Sequence, residues 1–227
     1  LSRPGAARPG YVGNTNPGVN CRIADGGEIQ IKSPGMMMGY YRDEVMTAET
    51  LTDDGYLKTG DCGELDAQGR LKITGRLKDN FKTSRGKYVA PVPIENKLAG
   101  HPKFEAVCVM GQGLPQPVAL LMLSADAQAE LRAHGADAAD QRAELTRQCL
   151  ALMRTVNATL ESHEQLAMMV VVQGSWTIEN GYLTPTLKIK RNVLEQHYQP
   201  LLASWMDLGD ALVWESEHAG VTSLRAA

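Results

Sequence analysis

The chain changes character at Gly75-Arg76, and this break constrains its fold more than any other feature. Before it, apolar residues alternate in short runs separated by glycine-rich turns. "CRIADGGEIQIKS" alternates about Asp25-Gly26-Gly27, the signature of a hairpin, because central glycines reach the positive φ that tight hairpin turns need. "CGELDAQGRLKITG" repeats the design, with its turn at Asp66 to Gly69. Between them, "RDEVMTAETLTDDGYLKTGD" offers a short helix and a turn at Gly55.

After the break the periods change. "PIENKLAG" predicts a helix that starts near Pro93, since proline is tolerated in a first turn, and stops at Gly100. "FEAVCVMG", "PVALLML" and "LAMMVVVQ" are short apolar runs of the kind that form buried strands. Leu145, Cys149, Leu152, Val156 and Leu160 recur at helical spacing. "RNVLEQHYQPLLASW" predicts a last helix, with Pro200 placed to kink or split it. The expected fold class is α+β. A β-rich, barrel-like module spans 1–77, a small α+β domain spans 78–206, and residues 207–227 form a tail, mobile or docked.

Composition narrows the function. The chain has 227 residues, 43% of them hydrophobic, enough for a real core in one or two domains. Its net charge of −3 leaves no broad basic field for nucleic acid, so basic clusters must act locally. Cys21, Cys62, Cys108 and Cys149 are far apart, with no C-x-x-C and no Cys/His pair at zinc spacing. That pattern predicts reduced, buried thiols in a cytoplasmic protein rather than disulfides or a metal site. No run reaches the length of a membrane span, and the N-terminus lacks a signal-peptide pattern. The chain opens at Leu1 in "LSRPGAARPGYVGNTNPG", as expected of a fragment rather than a natural start.

Three stretches carry chemistry, each open to a bland and a sharp reading. In "GYLKTGD", Asp61 is either a turn aspartate bonded to its own backbone or a carboxylate offered to the vicinal hydroxyls of a ribose. Between Arg76 and Lys87 there are five cations and one acid, Asp79, which is either a solvated basic loop or a local anion site. It is not a P-loop, because Phe81 stands at the first glycine's place and Tyr88 follows the lysine. In "GYLTPTLKIKR", Lys188 follows a tight loop set by Asn180-Gly181 and Pro185. It is either surface solvation or a mobile catalytic cation. Lys190 and Arg191 are expected to begin the last helix, facing solvent or coenzyme A phosphates.

In this order, "TAETLTDDGYLKTGD", "GRLKDNFKTSRGKYVAPVPIE" and "NGYLTPTLKIKR" strongly resemble the adenylate-forming (AMP-binding) superfamily over roughly residues 10 to 205. The forms "FKTSRGKYVAP" and "LTPTLK" look most like the C-terminal part of a long-chain fatty acyl-CoA synthetase, where many other branches carry glycine in place of Leu187. The resemblance implies two steps. A carboxylate attacks the α-phosphorus of ATP, with Mg²⁺ on the phosphates, and releases pyrophosphate; the thiol of coenzyme A then attacks the acyl-adenylate and releases AMP.

The resemblance also assigns roles. Tyr56, Asp61 and Arg76 fall at the nucleotide, Asp61 and Arg76 at its ribose. Lys188 matches the lysine that bridges substrate carboxylate and α-phosphate. Lys78 falls at the hinge of a small mobile domain, and Gly86, with Lys82 nearby, at the thiol tunnel of the second step. The upstream phosphate loop and the Tyr-Gly-x-Thr-Glu segment of the family are absent. The acyl pocket and the Mg²⁺ ligand are therefore expected in an upstream part of the same enzyme, and adenylation by this chain alone is not expected. The alternatives are a non-catalytic nucleotide-binding or interaction module, and an adenylation domain that loads a carrier-protein thiol.

Overall fold

The computed structural model describes residues 8–132 and 136–218. The chain is α+β and divides into two compact units, Leu1–Asn80 and Phe81–Ala227.

The first unit is an antiparallel meander of β1 (Asn20–Ile23), β2 (Glu28–Lys32), β3 (Leu57–Leu65) and β4 (Leu71–Arg76), hydrogen-bonded in that order. Its two hairpins fall where the turn residues predict them. Gly26 and Gly27 take φ of +89° and +84°. At the second turn Asp66 Oδ1 accepts from the N–H groups of Gln68 and Arg70, both at 2.9 Å, and Gly69 takes φ of +71°. Strand β3 bulges between Cys62 and Gly63. Helix α1 (Glu44–Thr50) is capped by Asp43, whose Oδ1 accepts from Met46 N–H at 2.8 Å; it buries none of its residues.

The second unit opens with a small hairpin, β5 (Phe81–Lys82) and β6 (Tyr88–Val89), followed by α2 (Pro91–Leu98). The helix starts at Pro91, not Pro93. Both prolines then lie in the first turn, where an amide proton has no intrahelical acceptor. Next come β7 (Phe104–Met110), β8 (Val118–Leu123), α3 (Ala125–Arg132), α4 (Ala136–Asn157), β9 (Met168–Val171), α5 (Arg191–Met206) and β10 (Leu212–Trp214). The sheet order is β10-β9-β8-β7, with β7 antiparallel to β8 and the other pairs parallel.

Strict alternation sends side chains to the two faces of this sheet. Val107, Val109, Leu121, Met169 and Val171 pack with α2, α3 and α4 around Ile94, Leu98, Leu145 and Cys149. Cys108, Met110, Leu120, Met122 and Val170 pack with α5 around Leu194, Tyr198, Leu202 and Trp205. Every residue of β8 is buried, which explains its continuous apolar run. Each fully buried Leu or Met contributes about 1.5–3 kcal/mol. Helix α5 runs through Pro200 as one element rather than splitting there.

Within the stretch expected as a tail, Leu212–Trp214 pairs in parallel with Met169–Val171 and buries Val213. Residues 219–227 of that stretch lie outside the described residues.

Candidate functional site

Strands β3 and β4 bring Asp61 and Arg76 together as register partners. Arg76 Nε lies 3.1 Å from Asp61 Oδ1, with the arginine side chain 66% exposed and the aspartate 30%. The Asp61 backbone is held from below: its N–H donates to Thr59 Oγ1 at 3.1 Å, and that hydroxyl donates to Ile29 C=O at 2.7 Å. Gly60 takes φ of +71° and donates its N–H to Glu28 Oε1 at 3.1 Å. A side chain at Gly63 would meet Lys72 O and Ile29 Cδ1, so the bulge behind Asp61 depends on glycine. The result is a carboxylate at a fixed point on the sheet surface beside a solvated guanidinium, able to accept from two hydroxyls at once.

Tyr56 is half-buried. The Arg22 guanidinium lies 3.9 Å from its ring centroid, and Arg22 is itself clamped to both Asp54 oxygens at 2.6 and 3.0 Å. That arginine, together with Thr52, whose Oγ1 also donates to Asp54, pulls the Asp54 carboxyl down to about 2. Tyr56 therefore belongs to a network with Arg22 and Asp54 that no local motif announces.

Lys78 is exposed in a 3-10 turn, Leu77–Asp79, just before the boundary between the units. Gly86 lies in the β5–β6 hairpin at φ of +80°, its N–H donating to Thr83 O at 2.9 Å. Lys82 and Tyr88 are register partners on that hairpin, and the lysine ammonium stands 5.6 Å from the ring centroid. The hairpin is tied to the β7–β8 turn: Ser84 N–H donates to Leu114 O at 2.9 Å, and Gly113 N–H donates to Lys82 O at 3.0 Å.

Lys188 is exposed at the head of a second hairpin. An isolated antiparallel bridge, Leu183 to Ile189, forms its base. Thr184 N–H donates to Lys188 O at 2.8 Å, and Lys188 N–H donates to Thr184 Oγ1 at 3.0 Å. Leu187 takes φ of +60° to complete the loop, a conformation glycine adopts without strain. Below the loop, Leu183, Leu187 and Ile189 line a groove of about 800 Å³ with Glu105, Val107 and Met122. The two hairpins of the second unit thus sit at opposite ends of the β7–β8 pair. From Ala106 to Met110 the strand covers about 14 Å at ~3.4 Å per residue.

Arg191 differs from expectation. It faces neither solvent nor a free anion but forms an ion pair with Glu95, 2.8 Å long, with the two side chains only 15% and 14% exposed. The partners come from α2 and the start of α5, far apart in sequence. Among the described residues no group of three or more His, Cys, Asp or Glu could hold a metal ion. No role argued for Asp61, Arg76 or Lys188 depends on a metal ion.

Residues 78–205, more than half of the chain, match the family described as AMP-binding enzyme C-terminal domain. The chain is 34% identical over 196 residues to the long-chain-fatty-acid–CoA ligase FadD15 of Mycobacterium tuberculosis, covering 83% of this chain and 32% of that protein. It is 32% identical over 226 residues to long chain acyl-CoA synthetase 6, peroxisomal, of Arabidopsis thaliana, covering 88% and 32%. Among solved structures, the adenylation domain of a carboxylate reductase from Mycobacterium chelonae matches with a TM-score of 0.64 and 26% identity, covering 88% of this chain and 30% of that one. The chain thus spans about a third of the length of these curated relatives. It belongs to the AMP-binding enzyme C-terminal domain family.

Proposed function

We propose that this chain supplies the C-terminal part of an AMP-forming acyl-CoA ligase that activates a fatty acid with ATP and passes the acyl group to coenzyme A. In the first step a carboxylate oxygen bonds to the α-phosphorus and the bond to pyrophosphate breaks. In the second, the thiol sulfur bonds to the acyl carbon, AMP leaves, and the thiol proton is released. Asp61 receives the ribose hydroxyls, Arg76 flanks them and Tyr56 borders the nucleotide. Lys188 meets the negative charge that gathers on the pentacoordinate phosphorus, where a preorganised cation is worth several kcal/mol. The observation that carries the reading is Lys188 itself, exposed at the head of a loop closed on both sides by Thr184.

The separation of the Lys188 and Gly86 hairpins along β7 supports a swap between the two steps. A single reaction centre receives one end of the β7–β8 pair at a time, so rotation about Lys78 exchanges Lys188 for Gly86 and Lys82. A boundary at 77/78 follows the same reading, between a barrel-like end of the large domain and a mobile lid whose sheet includes β10. The four free cysteines support a reducing, cytoplasmic setting. No described helix is long and apolar enough to cross a membrane.

The test separates the half-reactions in the ligase with its upstream part present. Lys188→Ala should abolish acyl-adenylate formation and largely spare thioester formation from supplied adenylate; equal loss in both halves, or in neither, sinks the role. A second reading, an adenylation domain loading a carrier thiol, draws on the likeness to the carboxylate reductase domain. Acyl transfer to free coenzyme A at a rate matching adenylation decides for the ligase.

A further inference from the structure

Glu95 and Arg191, 96 positions apart, jointly take both backbone groups of one residue. Val109 N–H donates to Glu95 Oε1 at 2.7 Å, and Val109 C=O accepts from Arg191 Nη1 at 2.6 Å. The same Nη1 lies 3.2 Å from Cys108 Sγ, and Arg191 Nη2 lies 3.0 Å from Glu95 Oε2. Strand β7 is an edge of its sheet, so at Val109 the ion pair does what a neighbouring strand would do.

Arg191 is also the first residue of α5, directly after the Lys188 hairpin. Lys190 N–H closes that hairpin on Tyr182 O at 2.8 Å. The hairpin is closed internally by the Thr184–Lys188 bonds and the Leu183–Ile189 bridge, and its base is held by Leu183 N–H donating to Thr177 O at 3.0 Å and by the packing of Tyr182, Leu183 and Ile189 on the sheet. Apolar packing holds the base down but is non-directional. A forked guanidinium bonded to a carboxylate and a carbonyl fixes distance and angle together.

We propose that Glu95 and Arg191 are positioning residues for adenylation, a clamp on edge strand β7 that aims Lys188. The inference rests on the reading of Lys188 as the adenylation cation. A buried ion pair gives little net stability over apolar substitutes, so directional control is what this one contributes. Neither residue is assigned a contact with substrate; both act through the hairpin.

The test is Arg191→Lys, which keeps the charge and loses the fork, in the ligase with its upstream part present. Adenylate formation should slow ten- to hundredfold in kcat, the range expected for a catalytic group misplaced by about 1 Å, with KM for ATP little changed. Thioester formation from supplied acyl-adenylate should stay within about twofold. Equal loss in both half-reactions makes the pair merely structural and overturns the clamp. If Lys188→Ala itself leaves adenylation intact, the reading of Lys188 fails first and the clamp with it. If Arg191→Lys does not fold, Glu95→Gln takes its place with the same outcomes. In this chain alone, hydrogen exchange at the Leu187 and Lys188 amides should quicken in either variant; unchanged exchange counts against the clamp.

Discussion

Thr184 and Lys188 are joined by two hydrogen bonds, one at 2.8 Å through the Thr184 N–H and one at 3.0 Å through its Oγ1. The loop closed this way forces Leu187 to φ of +60°, with a side chain 69% exposed. A left-handed conformation costs an L-residue about 1–2 kcal/mol, and glycine's extra unfolded-state entropy returns roughly half of that. Leu187→Gly should therefore raise the unfolding free energy by about 0.5–1 kcal/mol. Leu187→Val, β-branched, should lower it by a similar amount. Denaturant titration checks both, and a destabilised glycine variant would refute the strain.

Asp61 and Arg76 separate a binding role from a stability role. Their ion pair is well exposed on the arginine side, so Arg76→Ala should change unfolding by less than about 1 kcal/mol. Asp61→Asn weakens acceptance from two hydroxyls. In the ligase with its upstream part present, AMP affinity by calorimetry should fall about tenfold or more, as the loss of a charge-assisted hydrogen bond implies. Unchanged affinity would remove Asp61 from the ribose.

Gly63 tests the support of that carboxylate. A Cβ there would lie 2.6 Å from Lys72 O and 2.7 Å from Ile29 Cδ1, and one of these is backbone. Gly63→Ala should cost about 1–3 kcal/mol of stability, the range for overpacking. An unfolding midpoint like that of the parent would show that the bulge yields freely.

Burial on α4 pushes the Cys149 thiol up from 9.0 to about 12. The folded value lies above the unfolded one, so this group stabilises the fold below pH 9 and the contribution is lost as pH rises through about 12. At a pH of about 8, iodoacetamide should label the half-buried Cys21 long before Cys149, and denaturant should erase the difference. Equal native labelling would contradict the packing of α4 on the sheet.

Local chemistry made much of this structure legible in the sequence. The hairpins at Gly26-Gly27 and Asp66–Gly69 form where they read because the turn residues themselves carry the signal. The buried strands read correctly as apolar runs. What failed to read was non-local. Arg191 looked like a solvent-facing cation because its partner lies 96 positions back along the chain, on α2. Leu212–Trp214 carried no strand signal, since three residues become a strand only on the open edge of β9. Of the candidate site, the order of three motifs pointed to Asp61, Arg76, Gly86 and Lys188. The Arg22–Asp54 brace beside Tyr56 is assembled across the meander and had no motif to announce it.

Strand β10 has a consequence for synthesis. Until Leu212–Trp214 leaves the ribosome, β9 presents "MMVV" along an unpaired parallel edge, the kind of surface that captures strands from other molecules. The last described strand thus covers the β9 edge and becomes the sheet's new border, and nascent chains stopped between Met206 and Leu212 leave β9 bare and lack Val213 of the core.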